Sequence, residues 1–419
     1  KGVLGITKRQ RDDPLNQPHA NALLLANAKI STYYDKPNYY QGVHKKMAKL
    51  KVGMIGGGGP GNFFGGVHKR AISLDHSREL VAGALRSNAD EAMAAAQEYG
   101  IEGFPHFEAL IEARSRLELD YVTIVTPNHA HYAPAKALLE AEIPLVCEKP
   151  VTMTVAEAED LATLAKQRDV PFVLAHTYTG HPMMMFAKEL VREGRVGEVR
   201  KVEAWYNQGW LATALEDEGL QQAEWRTDPA RTGISNCGGD IGTHAFIAAT
   251  WVSGHSVKKV SARLNRFVEG RQLDDDFNVI GELDNGGTAI ITATQIAIGY
   301  KNDNGFRIYG SKGSLEWHQE RAESLLVRTG EVDETYWIGG SFLPDSVASY
   351  LRVPSGHHED FFEALANLHG SMERMIRKGR GEDGPDAFDH PGVDEGVAGM
   401  CFVKAAVDSS NDGGAWTDL

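Results

Sequence analysis

The stretch "KVGMIGGGGPGNFFGGVHKRAI", residues 51–72, most narrows what this chain can fold into. An apolar run ends in four consecutive glycines, more glycine follows, and a helical pattern then begins. A glycine turn between a strand and a helix lets backbone N–H groups and the helix N-terminus approach a pyrophosphate, which Cβ atoms would obstruct. Gly56 and Gly58 supply the first two positions of a dinucleotide fingerprint, and the longer "GNFFGG" places the third at Gly65. Glycine runs also make plain loops, so the turn points to a nucleotide only if a strand precedes it and a helix follows.

The rest of the first half supplies that setting. The apolar runs "RELVAGAL", "LDYVTIVTP", "IPLVCEKP" and "VPFVLAHTY" alternate with helical patterns, which predicts βαβ units around a buried parallel sheet. Thr154 and Glu157 stand at capping-box spacing and predict a helix start. Beyond about residue 180 the runs become longer and β-rich, and "DNGG" at Asp284–Gly287 reads as a hairpin turn, so a mainly antiparallel sheet is expected there. Helical patterns return in "HEDFFEALANLHGSMERMIRKG" and "VDEGVAGMCFVKAAVDSS". The division is therefore 1–47, an N-terminal arm; 48–178, a dinucleotide-binding domain; and 179–419, an α+β domain for substrate and oligomerisation.

Charge and cysteine usage exclude several function classes. A formal net charge of −14 repels phosphate backbones and anionic lipid, and no long Lys/Arg run or bilayer-length apolar run occurs, so neither nucleic acid nor a membrane is the expected partner. Three cysteines without metal-like spacing suggest free thiols in a reducing compartment, the cytoplasm. The adjacent His357 and His358 lack a third ligand at metal spacing, and no metal is expected. The arm carries Tyr33, Tyr34, Tyr39 and Tyr40 with a Leu23–Leu25 cluster, which predicts that it lies across a neighbouring subunit or the rim of the cofactor groove.

Cofactor choice should be written at the end of the second strand, where an acidic residue would accept from a ribose 2′-OH. Arg86 and Ser87 stand there instead. A cation and a hydroxyl suit a 2′-phosphate, which favours NADP over NAD, although Arg86 is also compatible with a solvated strand end.

Two further stretches carry a resemblance. "IVTPNHAHYAPAKALLEAEIPLVCEKP", with Glu148-Lys149-Pro150, and "WRTDPARTGISNCGGDIGTHAFIAATW" resemble signatures of the glucose-fructose oxidoreductase, inositol dehydrogenase and MocA-like family. The resemblance implies a fold of class α/β, an N-terminal Rossmann domain plus a C-terminal α+β domain with a large open, mainly antiparallel sheet. It implies hydride passing between NAD(P) and a carbinol carbon of a sugar or cyclitol, and assembly as a homodimer or homotetramer. Pro127, Asn128 and His131 resemble the family's nicotinamide-ribose segment, while Asn128 alone also suits a helix cap. Glu148 and Lys149 lie at the carboxyl edge of the sheet, where ligands of such folds bind; alternatively they form a surface pair.

The chemistry of alcohol oxidation asks for a proton acceptor and for positive charge at the developing alkoxide. His244 is assigned as the base, Lys149 as the alkoxide stabiliser and Asp240 as a substrate hydroxyl acceptor, with the roles of Lys149 and His244 exchangeable. Asp240 and His244, four apart, are expected to share a helix face, so that Asp240 tunes His244. Tyr178, His181, Trp225 and Arg226 are substrate-contact candidates that equally suit structural roles; Gly180 stands where the family often carries Arg. Two other readings remain at this stage: a glycosidase that retains its nicotinamide and oxidises the sugar transiently, and a nucleotide-binding regulator without chemistry.

Overall fold

A computed structural model describes residues 48–59 and 62–419, and the arm of residues 1–47 with its expected placement lies outside them. The alternating runs of the first half become β1 (Leu50–Gly56), β2 (Arg78–Ala84), β3 (Glu102–Gly103), β4 (Tyr121–Val125), β5 (Leu145–Cys147) and β6 (Phe172–Leu174). They pair in the order β3-β2-β1-β4-β5-β6, all parallel. Strand order reverses at β1, so a crevice opens beyond the carboxyl ends of β1 and β4. Between the strands run α1 (Phe63–Ser73), α2 (Ala89–Tyr99), α3 (Tyr132–Glu140) and α4 (Val155–Arg168). Burial on both faces explains the near-continuous apolar strands: Val52 and Met54 pack toward α1 and α2, while Ile55, Val122 and Ile124 pack toward α3 and α4. The α4 capping box forms as its spacing requires, Glu157 N–H donating to Thr154 Oγ1 at 3.2 Å and Thr154 N–H to Glu157 Oε2 at 3.1 Å.

The second half builds a nine-stranded sheet from β7 (Val199–Asn207), β8 (Val257–Asn265), β9 (Asp276–Leu283), β10 (Thr288–Thr294), β11 (Asp303–Gly310), β12 (Ser314–His318), β13 (Ser324–Arg328), β14 (Asp333–Trp337) and β15 (Thr417–Asp418), in the order β14-β13-β12-β11-β7-β10-β9-β8-β15. Its pairings are antiparallel apart from β7 with β10. The Asp284–Gly287 turn joins β9 to β10 as a hairpin. Further helices are α5 (Pro182–Arg192), α6 (Gln221–Thr227), α7 (Thr243–Ser253), α8 (Phe361–Gly379) and α9 (Val393–Asn411). Alternate strand residues such as Val202, Ala204, Ile291 and Phe306 point to one face, where Phe186 of α5, Phe246 and Trp251 of α7 and Phe402 of α9 cover them. Among the described residues no helix covers the opposite face, and Ile280 there is exposed.

The last two helices tie the sheets together. Leu365, Leu368 and Met372 of α8 complete the core behind β1, and Met400 of α9 enters the core on the other side of the same sheet. Among the described residues no helix is long and apolar enough to cross a membrane. His357 and His358 precede α8 in a loop rather than lying on a helix.

Candidate active site

The glycine turn is shaped by contacts that leave no room for side chains. Gly56 adopts φ of +78°, and a Cβ there would stand 2.6 Å from the Val125 carbonyl oxygen. At Gly65, on the first turn of α1, a Cβ would lie 1.7 Å from the Gly57 carbonyl oxygen, so helix and turn approach through bare backbone. Gly58 is wedged against Leu85 and Ala95 in the same way. Asn62 caps α1, its side chain accepting from Gly65 N–H at 3.4 Å. A cleft of about 590 Å³ opens over this turn, bordered by Gly56, Gly58, Arg86, Ser87, Pro127 and Trp225. A bare-backbone cradle at a helix start fits the pyrophosphate of a dinucleotide. Arg86 lies across the turn: Nη1 donates to the Gly58 carbonyl at 3.3 Å, and Nε and Nη2 donate to Glu91 Oε2 at 2.9 and 2.7 Å.

From the cleft a constriction of about 80 Å³, bordered by Pro127, Asn128, Glu148, Lys149, Trp225, Arg226 and Asp240, leads into a pocket of about 940 Å³. Lys149 enters from the loop after β5. Its Nζ donates to the Asp240 carbonyl at 2.6 Å and to Asp240 Oδ1 at 2.9 Å. The other carboxylate oxygen accepts from Arg226 Nε and Gln295 Nε2, both at 3.1 Å. Burial alone would raise the Asp240 pKa, but the charges of Arg226 and Lys149 outweigh it and hold the carboxyl well below the usual range. Arg226 is itself stacked over Trp225, with its Cζ 4.2 Å from the ring centroid.

Deeper in, His244 of α7 meets His176, which follows β6, with their Nδ1 atoms 3.3 Å apart. Burial, then the Lys149 charge, lowers both rings, His176 to about 3 and His244 well below the ordinary imidazole value. Both are therefore neutral near pH 7, and one donates its Nδ1–H to the other. When His244 is the donor, its Nε2 is left as a hydrogen-bond acceptor. Tyr178 closes over His244 with ring centroids 4.9 Å apart, and its hydroxyl lies 2.6 Å from that of Tyr206. Tyr206 O–H in turn reaches Asn302 Oδ1 at 2.8 Å, and Gln208 Nε2 donates to the same oxygen at 2.7 Å. The pocket thus has a polar floor, while the exposed Phe63, Leu220 and Tyr300 stand among its lining residues.

Comparison with known proteins agrees with this arrangement. Residues 50–176 match the oxidoreductase family with an NAD-binding Rossmann fold, and residues 184–316 match the GFO/IDH/MocA C-terminal domain. The chain belongs to the Gfo/Idh/MocA family. The crystal structure of an oxidoreductase from Sinorhizobium meliloti is 36% identical, with a TM-score of 0.78 over 88% of this chain and 99% of that one. An inositol dehydrogenase homologue from Azotobacter vinelandii, solved with NADH and myo-inositol, is 27% identical, with a TM-score of 0.79 over 89% and 98% of the two chains. Levoglucosan dehydrogenase of Pseudarthrobacter phenanthrenivorans is 27% identical over 311 residues, 67% of this chain and 76% of its own length.

Within this Gfo/Idh/MocA chain, several expectations from sequence need correction. His131 does not border the cleft: it is fully buried, with Nδ1 2.7 Å from the Pro150 carbonyl oxygen and Nε2 2.8 Å from that of Thr126. It therefore fastens the loop after β4 to the loop carrying Lys149. His181 is also off the pocket, buried at the start of α5, tilted against Trp317 and stacked with Tyr178, and burial pushes it down to about 4. Asn128 caps no helix; its Nδ2 donates to the Thr232 carbonyl at 3.3 Å. Asp240, in a segment Gly238–Gly242 that winds as a π-helix, pairs with Lys149 and Arg226 and not with His244, because those two cations satisfy its carboxylate while His244 turns to His176. The arginine-to-glycine departure at Gly180 has a steric cause: any Cβ would stand 2.0 Å from the Ala364 carbonyl oxygen of α8.

The site residues that sequence reasoning missed are His176, Tyr206, Gln208 and Asn302. Tyr206 left a signal, since it has the same strand parity as the core-facing Val202 and Ala204.

Proposed function

We propose that this protein is an NAD(P)-dependent oxidoreductase that transfers hydride between nicotinamide and a secondary-alcohol carbon of a sugar, glycoside or cyclitol. The observation that carries this reading is the position of Lys149 and Asp240 in the constriction between the dinucleotide cleft and the pocket that His244 lines. When bound, the nicotinamide supplies the hydride acceptor. Neutral His244 takes the hydroxyl proton, and the Lys149 ammonium stabilises the alkoxide oxygen that results. Two of the three Lys149 N–H donors are held by Asp240, which leaves one for substrate. Asp240 and Arg226 fix the ammonium in place, and Tyr178, Tyr206, Gln208 and Asn302 offer the floor of hydroxyl partners that a polyol needs. A pocket of about 940 Å³ exceeds one sugar ring, and its apolar rim at Phe63, Leu220 and Tyr300 supports a glycoside over a free cyclitol.

The finer assignments rest on single features. Arg86, with Ser87 beside it, supports NADP over NAD. Pro127, Asn128 and Glu148, which border the constriction, and Trp225, which borders it and the cleft, suit contacts to the nicotinamide half of the cofactor. The free buried thiols Cys147 and Cys237 suit the cytoplasm. The open face of the large sheet, where Ile280 is 49% exposed, suits a homo-oligomer interface, which sizing of the protein would test. The whole reading is tested by releasing and weighing any retained cofactor, then following nicotinamide absorbance across a panel of sugars, aryl glycosides and cyclitols. Reduction of NAD(P)+ by at least one panel member is expected. Release of aglycone with no net cofactor consumption would instead indicate the glycosidase chemistry.

A further inference from the structure

A line of four buried polar side chains runs from the constriction into the core behind the parallel sheet. Glu148 Oε1 lies 3.0 Å from Nε2 of His68 on α1. Nδ1 of His68 lies 3.1 Å from Nε2 of His369 on α8, and Nδ1 of His369 lies 2.9 Å from the hydroxyl of Tyr121 on β4. The two histidines and the tyrosine are fully buried, and Glu148 is 8% exposed.

Hydrogen bonding gives this line one direction. A carboxylate only accepts, so His68 presents Nε2–H to Glu148, and the Tyr121 O–H, which donates to His369 Nδ1, turns His369 Nε2–H toward His68 Nδ1 as acceptor. Reversing the tautomers would set a bare imidazole nitrogen against the carboxylate and leave the phenol hydrogen unpaired. Thr123 adds its hydroxyl at 3.2 Å from His68 Nδ1, and the Lys149 backbone N–H donates to the second Glu148 oxygen at 3.2 Å. Burial raises the Tyr121 pKa and lowers that of His369, so both keep the neutral forms that this direction requires.

Burial works against a charge on Glu148, but the His68 hydrogen bond and the nearby Lys149 outweigh it and hold the carboxyl below its ordinary value, as an anion. It stands in a constriction whose charged lining consists of two anions, Glu148 and Asp240, and two cations, Lys149 and Arg226. Removing the Glu148 charge leaves one positive charge in excess there. The nicotinamide ring carries a positive charge when oxidised and none when reduced. We propose that the Tyr121–His369–His68–Glu148 chain fixes a negative charge at the nicotinamide end of the cleft and so favours the oxidised cofactor over the reduced one. This rests on the reading of the constriction as the nicotinamide position.

Calorimetric titration of the full chain with NAD+ against NADH, and NADP+ against NADPH, tests it without any turnover. Glu148→Gln, which keeps shape and loses charge, is expected to weaken the oxidised form about tenfold more than the reduced form. Tyr121→Phe and His369→Gln, which interrupt the chain at separate points, are expected to shift the ratio the same way by about threefold. Equal weakening of both forms in Glu148→Gln overturns the charge assignment. A shifted ratio in Glu148→Gln with none in a folded Tyr121→Phe or His369→Gln overturns the role of the chain. A shifted ratio in a protein that oxidises no sugar, glycoside or cyclitol would refute the proposed activity and leave this inference standing.

Discussion

The glycine turn around Gly56, Gly58 and Gly65 borders the dinucleotide cleft and the polar cluster around Lys149 borders the adjoining constriction, and the first is shaped by missing side chains, the second by converging ones. At the turn, backbone approaches backbone: the Gly57 carbonyl lies where a Cβ of residue 65 would be. In the cluster, Lys149, His176, Arg226, Asp240 and His244 arrive from separate elements and are held by pairwise charge and hydrogen bonding. The difference has a mechanical consequence. The turn should fail sterically and in binding, whereas the cluster should fail electrostatically and in turnover, with the fold intact.

Lys149→Ala offers the largest effect. Removing the cation should lower kcat by about a thousandfold while the protein stays folded and binds nicotinamide, because Arg226 and Gln295 still hold the Asp240 carboxylate. Near-normal turnover would remove Lys149 from the chemistry. Gly65→Ala should show the opposite profile: loss of about 2 kcal/mol in stability from overpacking, and cofactor affinity reduced by about a hundredfold, since α1 must retreat from the turn. Tight binding in that variant would mean that the turn yields more easily than its contacts imply.

His244→Ala sharpens the account of the cluster. A fall in kcat of about a hundredfold is expected, together with loss of the acidic limb of the rate profile. The sign follows from the environment. Burial, then Lys149 and His176, lowers the imidazole pKa, so the neutral base persists as pH falls through 6.5 and the limb of the unaltered enzyme lies below that value. A limb that survives in His244→Ala would transfer the base role to Lys149. Arg86→Asp should have the smallest effect, weakening NADP about tenfold more than NAD. Equal weakening would leave Arg86 as the partner of Glu91 and no more.

How much of this was legible in the sequence follows the same division. Backbone requirements leave local marks, so the glycine turn, the Thr154–Glu157 capping box and the Asp284–Gly287 hairpin could be read from neighbouring residues. The two-residue β3 could not, because Glu102–Gly103 contains no apolar run. In the cluster, the residue types at 149, 240 and 244 suggested alcohol chemistry, and the fold brings Lys149 to Asp240 across 91 positions. The expected tuning of His244 by Asp240 does not form, since spacing along one helix says nothing of the cations that other elements bring to Asp240 or of the imidazole that meets His244. His176 has no spacing relation to His244, so no local pattern announces it. His131 and His181 had the right type and neighbourhood for ligand contact, but their burial is decided by packing that sequence periodicity does not encode.

The central claim is that hydride passes directly between a substrate carbinol carbon and the nicotinamide beside Lys149. Its most direct test supplies a sugar or glycoside that the absorbance screen has identified, with deuterium at the oxidised carbon and unlabelled NAD(P)+, and weighs the recovered cofactor. The account predicts reduced nicotinamide carrying one deuterium per turnover. Deuterium released to water, with reduced cofactor that carries none, would contradict it.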